Sequence, residues 1–405
     1  MSRTPSIRSG MRRRLFLLPG ACVAALLTSC AMVGQQPAPP APAAEPAATA
    51  PVPAKPKALV IGHRGASALR PEHTLAAYAK AIEDGADLIE PDVVMTRDGV
   101  LVARHENEIG GTTNVSALKQ FASRKRIKVI DGKRLEGWFT EDFTLAELKT
   151  LRARERIPTL RPSNTEYDDR LEIPTLDEVL RLAADASKRS GRTVGVYIET
   201  KHSSYFRGIG LPLEEALLRA LRANVHARQA PVYLQSFETA NLRMLRQQIG
   251  KSMPNVKLVQ LIGGARSKPA DWVLAGDTRT YADMVTPLGL REVATYADGI
   301  GPERGHVLPR NAAGAIGKPT ALVANAHAAG LVVHPYTLRP ENAFLPKNLR
   351  GPGPEDKRHP AGMIAEARAL LDAGVDGFFT DDPALGRRAV DGAAASGKGA
   401  SSAAR

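Results

Sequence analysis

Residues 88–106 read Leu88-Ile89-Glu90-Pro91-Asp92-Val93-Val94-Met95-Thr96-Arg97-Asp98-Gly99-Val100-Leu101-Val102-Ala103-Arg104-His105-Glu106. The apolar run 88–94 has the length of a buried strand, and a period of two places Glu90 and Asp92 on one face of it. Runs of this kind recur along the chain at 58–61, 88–94, 194–198, 232–235, 256–262, 297–300, 331–334 and 377–380, eight in all. Helical periodicity fills intervals between them, at 74–84, 213–221, 238–248, 320–329 and 361–373, the last followed by Gly374 at a natural C′ position. Strand and helix in alternation signify a parallel sheet, and eight strands predict an α/β fold of the (β/α)₈ TIM-barrel type. The stretch between the second and third runs is too long for one crossover helix. Residues about 96–172 are therefore read as an insertion after the second strand, followed by a helix over 175–186.

The 405 residues are 43% hydrophobic and 24% charged, which supplies a large core and excludes a disordered or collagen-like chain. Both cysteines, Cys22 and Cys30, lie in the first thirty residues. No thiolate metal site, catalytic Cys or intrachain disulfide can therefore form further along. Arg3, Arg8, Arg12, Arg13 and Arg14 precede the apolar run 15–27, as in an export signal, too short to span a bilayer as a mature helix. Leu27-Thr28-Ser29-Cys30 resembles the bacterial lipoprotein box, which implies cleavage before Cys30 and lipidation of its sulfur. Ala31 after it implies the outer membrane, hence a periplasmic, envelope-anchored protein.

Loss of residues 1–30 removes five Arg and no acid, so the formal charge falls from +13 to +8. The remaining basic cluster, Arg124, Lys125, Arg126, Lys128, Lys133 and Arg134, has few aromatic neighbours and reads as a solvated loop, with no nucleic-acid partner. Residues 31–56 are rich in Ala and hold eight Pro with one Glu and one Lys, the composition of a tether; 389–405 read as a disordered tail. The folded domain is expected over 57–388.

Polar residues gather where the strands end: His63-Arg64, Glu90 and Asp92, Glu199-Thr200-Lys201, Gln235-Ser236-Phe237, His334-Pro335-Tyr336 and Thr380-Asp381-Asp382. In a barrel these ends share the rim that carries active sites. Glu90 and Asp92 together repel unless a cation or a proton intervenes, and a hard divalent ion suits such oxygens. With Asp98-Gly99 as a two-residue hairpin loop, Asp92 is expected opposite His105. Glu199 could complete a three-carboxylate site, Lys201 could meet a phosphate, and His63-Arg64 could offer an acid or base with a guanidinium. Glu72 could orient substrate or metal, while His73 reads as the start of the helix capped by Thr74.

The set His63-Arg64-Gly65-Ala66-Ser67, Pro71-Glu72-His73-Thr74, Glu90-Pro91-Asp92-Val93, Val102-Ala103-Arg104-His105-Glu106 and Glu199-Thr200-Lys201 resembles the glycerophosphodiester phosphodiesterase family, in its periplasmic bacterial branch. That resemblance implies Glu90, Asp92 and Glu199 as ligands of one divalent cation, Ca²⁺ ahead of Mg²⁺. It also implies His63 and His105 as the acid/base pair, with Arg64 and Lys201 on the phosphate and Phe237 and Tyr336 on the glycerol side. Glu106 stands where the family commonly has Asp. The substrate implied is a small glycerophosphodiester, cut to glycerol 3-phosphate and an alcohol, with water or the glycerol 2-hydroxyl as nucleophile. A phospholipase D-like hydrolase of lysolipids and a non-catalytic surface-binding lipoprotein are the alternatives.

Overall fold

The computed structural model describes Gly34 and residues 57–399. The signal segment with Cys30, most of the tether and residues 400–405 lie outside the described residues. The described strands are β1 (Leu59–His63), β2 (Leu88–Glu90), β3 (Asp92–Met95), β4 (Leu101–Ala103), β5 (Arg126–Ile130) and β6 (Lys133–Gly137). They continue as β7 (Gly195–Thr200), β8 (Val232–Ser236), β9 (Val256–Ile262), β10 (Gly299–Pro302), β11 (Val332–Val333) and β12 (Gly377–Thr380). Eight of these run in parallel in the order β11-β10-β9-β8-β7-β2-β1-β12. Backbone bonds Asp376 N to Val333 O (3.0 Å) and Phe379 N to Pro335 O (3.0 Å) bring the two ends together, giving the barrel expected from the sequence.

Each barrel run earns its strand by apolar, β-branched content, and each helix by a recognisable start. Thr74 Oγ1 accepts from Ala77 N (3.1 Å) ahead of the helix Leu75–Glu83, and Thr175 with Glu178 forms a capping box ahead of Leu176–Ser190. Gly374, at φ +94°, follows the helix Pro360–Asp372. Ile61, Leu88, Tyr197, Val259 and Phe379 fill the barrel interior, with Tyr233 stacked on Tyr197 at 4.7 Å, so the tube is closed beneath the rim. Among the described residues no helix is long and apolar enough to cross a membrane.

Three expectations need correction. The second strand is broken at Pro91, which has no N–H for a ladder: β2 pairs with β1 and β7, whereas β3 pairs with β7 and turns back into β4. The hairpin loop is three residues long, because Met95 pairs with Leu101 and Thr96 N donates to Val100 O, with Gly99 at φ +76° as its left-handed last residue. Asp92 therefore stands opposite Arg104, whose N–H donates to Asp92 O (3.1 Å), and His105 lies one residue beyond the expected register. Finally, the helix Pro383–Gly399 carries the chain past residue 389, and Ala389 and Val390 are buried, so the fold extends into the segment read as tail. The insertion is itself structured, by the hairpin β5–β6 and by short helices such as Pro162–Tyr167.

Candidate active site

Register lays the polar strand ends side by side: His63 pairs with Glu90, Asp92 with Glu199, and Glu199 with Gln235. Glu90, Asp92 and Glu199 are all buried, and one oxygen of each lies within 4.8 Å of the others. Burial, and then the charges of Asp92 and Glu199, pushes Glu90 well above the usual carboxylate range. Burial and Asp92 push Glu199 up to about 8, although Lys201 Nζ donates to its Oε1 at 2.8 Å. For Asp92 burial acts upward but loses to Lys201 and to the donated N–H of His73, which hold it well below the usual range. Asp92 Oδ1 is buried with no hydrogen-bond partner. Three crowded carboxylates with an orphaned oxygen among them fit a hard divalent cation, which would relieve both the repulsion and the missing partner.

Arg64 enters at φ +57° followed by Gly65 at φ +88°, a backbone that turns its N–H onto Glu90 Oε2 (2.8 Å). A side chain at Gly65 would collide with Ala77, with backbone atoms within 2.7 Å of the added carbon, so only glycine permits this turn. Arg64 Nη1 donates to Glu72 Oε2 (2.9 Å), and Glu72 Oε1 takes Arg156 Nη2 (2.6 Å). Glu72 thus braces Arg64 from behind and stands apart from the three-carboxylate group.

His63 Nδ1 lies 2.6 Å from Asp381 Oδ1. Burial would raise Asp381, but Arg161 (2.5 Å) and Arg339 (3.0 Å) hold it ionised, so the imidazole donates from Nδ1 and Nε2 keeps its lone pair. Burial and then Arg64 push His63 down to about 4, leaving it neutral near pH 7. His105 sits at the cleft mouth, its Nδ1 on Glu106 and its Nε2 3.4 Å from Lys201 Nζ. Burial, Arg64 and Lys201 lower its proton affinity too. Despite the shifted register, His105 therefore reaches the cleft, because Lys201 and Glu106 fix its ring. His63, Arg64, Glu90, His105, Glu199 and Phe237 line one cleft of about 110 Å³, with Tyr336 and Arg339 on its far wall. Phe237 and Tyr336 meet edge to face at 6.0 Å.

Several residues that matter here were given no role in the site by the sequence. His73 is fully buried, accepts from Tyr78 OH at Nδ1 (2.7 Å) and donates from Nε2 to Asp92 Oδ2 (2.8 Å), so it orients a carboxylate. Arg104 is buried along the carbonyls of Ala103, Thr112 and His73 and ties the loop before the first helix to β4. From the insertion, Arg161 reaches Asp381 behind His63, and Arg156 bridges Glu72 and Glu106 (2.7 Å) behind Arg64 and His105. Asp381→Asn is expected to lower kcat by about 10²-fold or more, since an amide offers His63 the wrong tautomer, and to lower the melting temperature as well, since Arg161 and Arg339 lose a buried counter-charge. Steady-state kinetics alongside a thermal melt would check this, and unchanged kcat would remove Asp381 from the arrangement.

The model of the glycerophosphoryl diester phosphodiesterase family matches residues 63–385. A glycerophosphodiester phosphodiesterase of Arabidopsis thaliana is 34% identical over 79% of this chain and 82% of its own length. One from Bacillus subtilis (strain 168) is 30% identical over 81% and 84%. The crystal structure of a putative glycerophosphoryl diester phosphodiesterase from Silicibacter pomeroyi DSS-3 superposes with a TM-score of 0.58 at 23% identity, covering 84% of this chain and 95% of that one, and shows the same fold. A rim of paired acids, two imidazoles and a family match spanning all of them lead to one conclusion: the chain belongs to the glycerophosphoryl diester phosphodiesterase family.

Proposed function

We propose that this protein is a divalent-cation-dependent glycerophosphodiester phosphodiesterase that releases glycerol 3-phosphate and an alcohol. The observation that carries this reading is one cleft lined by two supported neutral imidazoles, a guanidinium and two carboxylates, Glu90 and Glu199, of a buried group that Asp92 completes. A phosphodiester monoanion repels nucleophiles, so its hydrolysis needs positive charge at the non-bridging oxygens, a base for the nucleophile and a proton for the departing alkoxide. Glu90, Asp92 and Glu199 would hold the cation, Ca²⁺ ahead of Mg²⁺, which would supply Lewis-acid charge to the phosphate. Arg64, kept rigid by Glu72, and Lys201, kept by Glu199, bind the phosphate oxygens.

One imidazole takes the proton of the nucleophile, water or the glycerol 2-hydroxyl, at its free Nε2. The other gives a proton to the leaving alcohol. Both are neutral in the free site, and an anionic phosphate between them raises the proton affinity of the one that acts as acid. Behind each ring a carboxylate, Asp381 or Glu106, fixes the Nδ1 proton and stabilises the imidazolium that forms. Phe237 and Tyr336 form the apolar wall for the glycerol carbons. The test is release of glycerol 3-phosphate from glycerophosphocholine, with chelator and with Ca²⁺ or Mg²⁺ returned. Metal-dependent release is expected; no release from any glycerophosphodiester would overturn the reading.

We further propose that the chain is lipidated at Cys30 and held in the bacterial periplasm at the outer membrane, on the strength of the arginines, apolar run and Cys-box that precede the tether. Cys30→Ser is expected to shift the protein from the membrane to the soluble envelope fraction, and unchanged fractionation would refute the anchor.

A further inference from the structure

Two arginines meet Asp381, and they are spent differently. Arg161 uses its whole guanidinium on the protein, with Nε on Glu341 (2.8 Å), Nη1 on the carbonyl of Ser67 (2.8 Å) and Nη2 on Asp381 (2.5 Å). Arg304, close to Arg339, does the same: Nε lies 3.2 Å from Glu366, and the two Nη donate to the carbonyls of Thr337 (2.6 Å) and Phe344 (2.5 Å). Arg339 gives only Nε, to Asp381 Oδ2 (3.0 Å). Its Nη1 and Nη2 have no partner among the described residues. The side chain, 29% exposed, lines the cleft that also holds His63 and Arg64.

That free edge is held in place. Leu338 N donates to Phe379 O (2.9 Å) and Asp381 N to Leu338 O (3.0 Å), which ties the backbone before Arg339 to β12. The ring of Phe344 lies 4.7 Å from the guanidinium. A side chain fixed at its root, at Nε and across its face loses little freedom when its outer N–H groups meet a ligand. Burial lowers the proton affinity of Arg339, and repulsion from Arg64, Arg161 and Arg304 adds to this against the attraction of Asp381. Arg64 and Arg339, two guanidiniums lining one cleft, repel each other until an anion joins them; a neutral hydroxyl would not relieve this.

We infer that Arg339 is a substrate-contacting residue: together with Arg64, the two N–H groups at the end of its guanidinium hold phosphate oxygens of the bound diester and of the phosphomonoester product. This deepens the diesterase reading and rests on it. The end-on pair of parallel N–H groups matches two oxygens of one phosphate. One side chain thereby links Asp381, the support of His63, to the group on which His63 acts.

The test titrates the full chain, with Ca²⁺ present, with inorganic phosphate in a calorimeter, and in parallel measures hydrolysis of glycerophosphocholine with glycerol 3-phosphate as inhibitor. The unmodified protein is expected to bind phosphate. Arg339→Gln is expected to weaken that binding, and inhibition by glycerol 3-phosphate, by about tenfold each, the size of one charge-assisted contact. KM is expected to rise by a similar factor, with a smaller fall in kcat because Arg161 still holds Asp381. Arg339→Lys keeps the charge without the fork, is expected to fall between the two, and serves alone if the Gln variant does not fold. Absence of phosphate binding by the unmodified protein overturns the inference. So does equal phosphate affinity in the variants: with a fall in kcat alone it would mark Arg339 as only a brace for Asp381, and with weaker inhibition by glycerol 3-phosphate alone, as a contact to the glycerol hydroxyls. Loss of phosphate binding in the variants, with no hydrolysis of any glycerophosphodiester by the unmodified protein, would leave Arg339 a phosphate contact and sink the diesterase reading itself.

Discussion

Replacing His63 with Ala is expected to lower kcat by about 10²–10⁴-fold, the range for removing a general acid or base, while the melting temperature stays within a few degrees. The two halves of that expectation come from separate parts of the structure. In the proposed mechanism turnover depends on the free Nε2, which keeps its lone pair because Nδ1 carries the proton and donates a hydrogen bond to Asp381 at 2.6 Å. Stability hardly depends on the ring, since Asp381 keeps Arg161 and Arg339 when the imidazole is gone and no buried charge is left unpaired. His105→Ala is expected to fall in the same range, and the double variant to lose little beyond either single one, because the two rings serve one reaction. Comparable turnover in both single variants and the unmodified protein, measured at saturating substrate, would dismiss the two-imidazole arrangement.

The second large effect is removal of the cation. Dialysis against a chelator is expected to abolish turnover and, independently, to lower the melting temperature by several degrees, because an ion that binds only the folded state stabilises it by about 2.7 kcal/mol at one hundred times its Kd. The sign of the pH dependence follows from the carboxylates. Glu199 ionises in the folded protein only near pH 8, so the stability it contributes is fully present below its ordinary range and is lost as pH rises through about 8. Glu90 acts in the same direction. Cation-free protein is therefore expected to lose melting temperature between about pH 5 and 8, Glu199→Gln to lose less, and added Ca²⁺ to remove most of the fall. Identical pH slopes for Glu199→Gln and the unmodified protein, each with and without Ca²⁺, would show that these acids are not the source of the effect.

The insertion extends this picture. It lies between the second and third sequence runs, yet Arg156 and Arg161 run under the rim to the carboxylates that support both imidazoles. Changes in this segment are therefore expected to act on kcat through the orientation of His63 and His105, without contact between the altered residue and the substrate.

The sequence by itself determined the parts governed by local chemistry. Apolar runs alternating with helical periodicity located the eight barrel strands to within a few residues, since burial on both faces of a parallel strand favours near-continuous apolar content. The same rule of period two brought Glu90 and Asp92 to notice, and strand order placed Glu199 among the candidates for the rim. Turn geometry was only half legible: Asp98-Gly99 marked a hairpin, but two-residue and three-residue loops both accept that pair, and the register that followed was shifted by one.

Only the tertiary structure decided which side chains support which. Asp381 and Arg161 are 220 residues apart, and Gln235 and Glu90 are 145 apart; nothing in the local pattern of either partner announces the other. Closing the barrel puts them on one rim, and burial there strengthens each charge interaction enough to fix protonation states. That is the physical reason the polar groups of the rim could be read from the chain while their positioning could not.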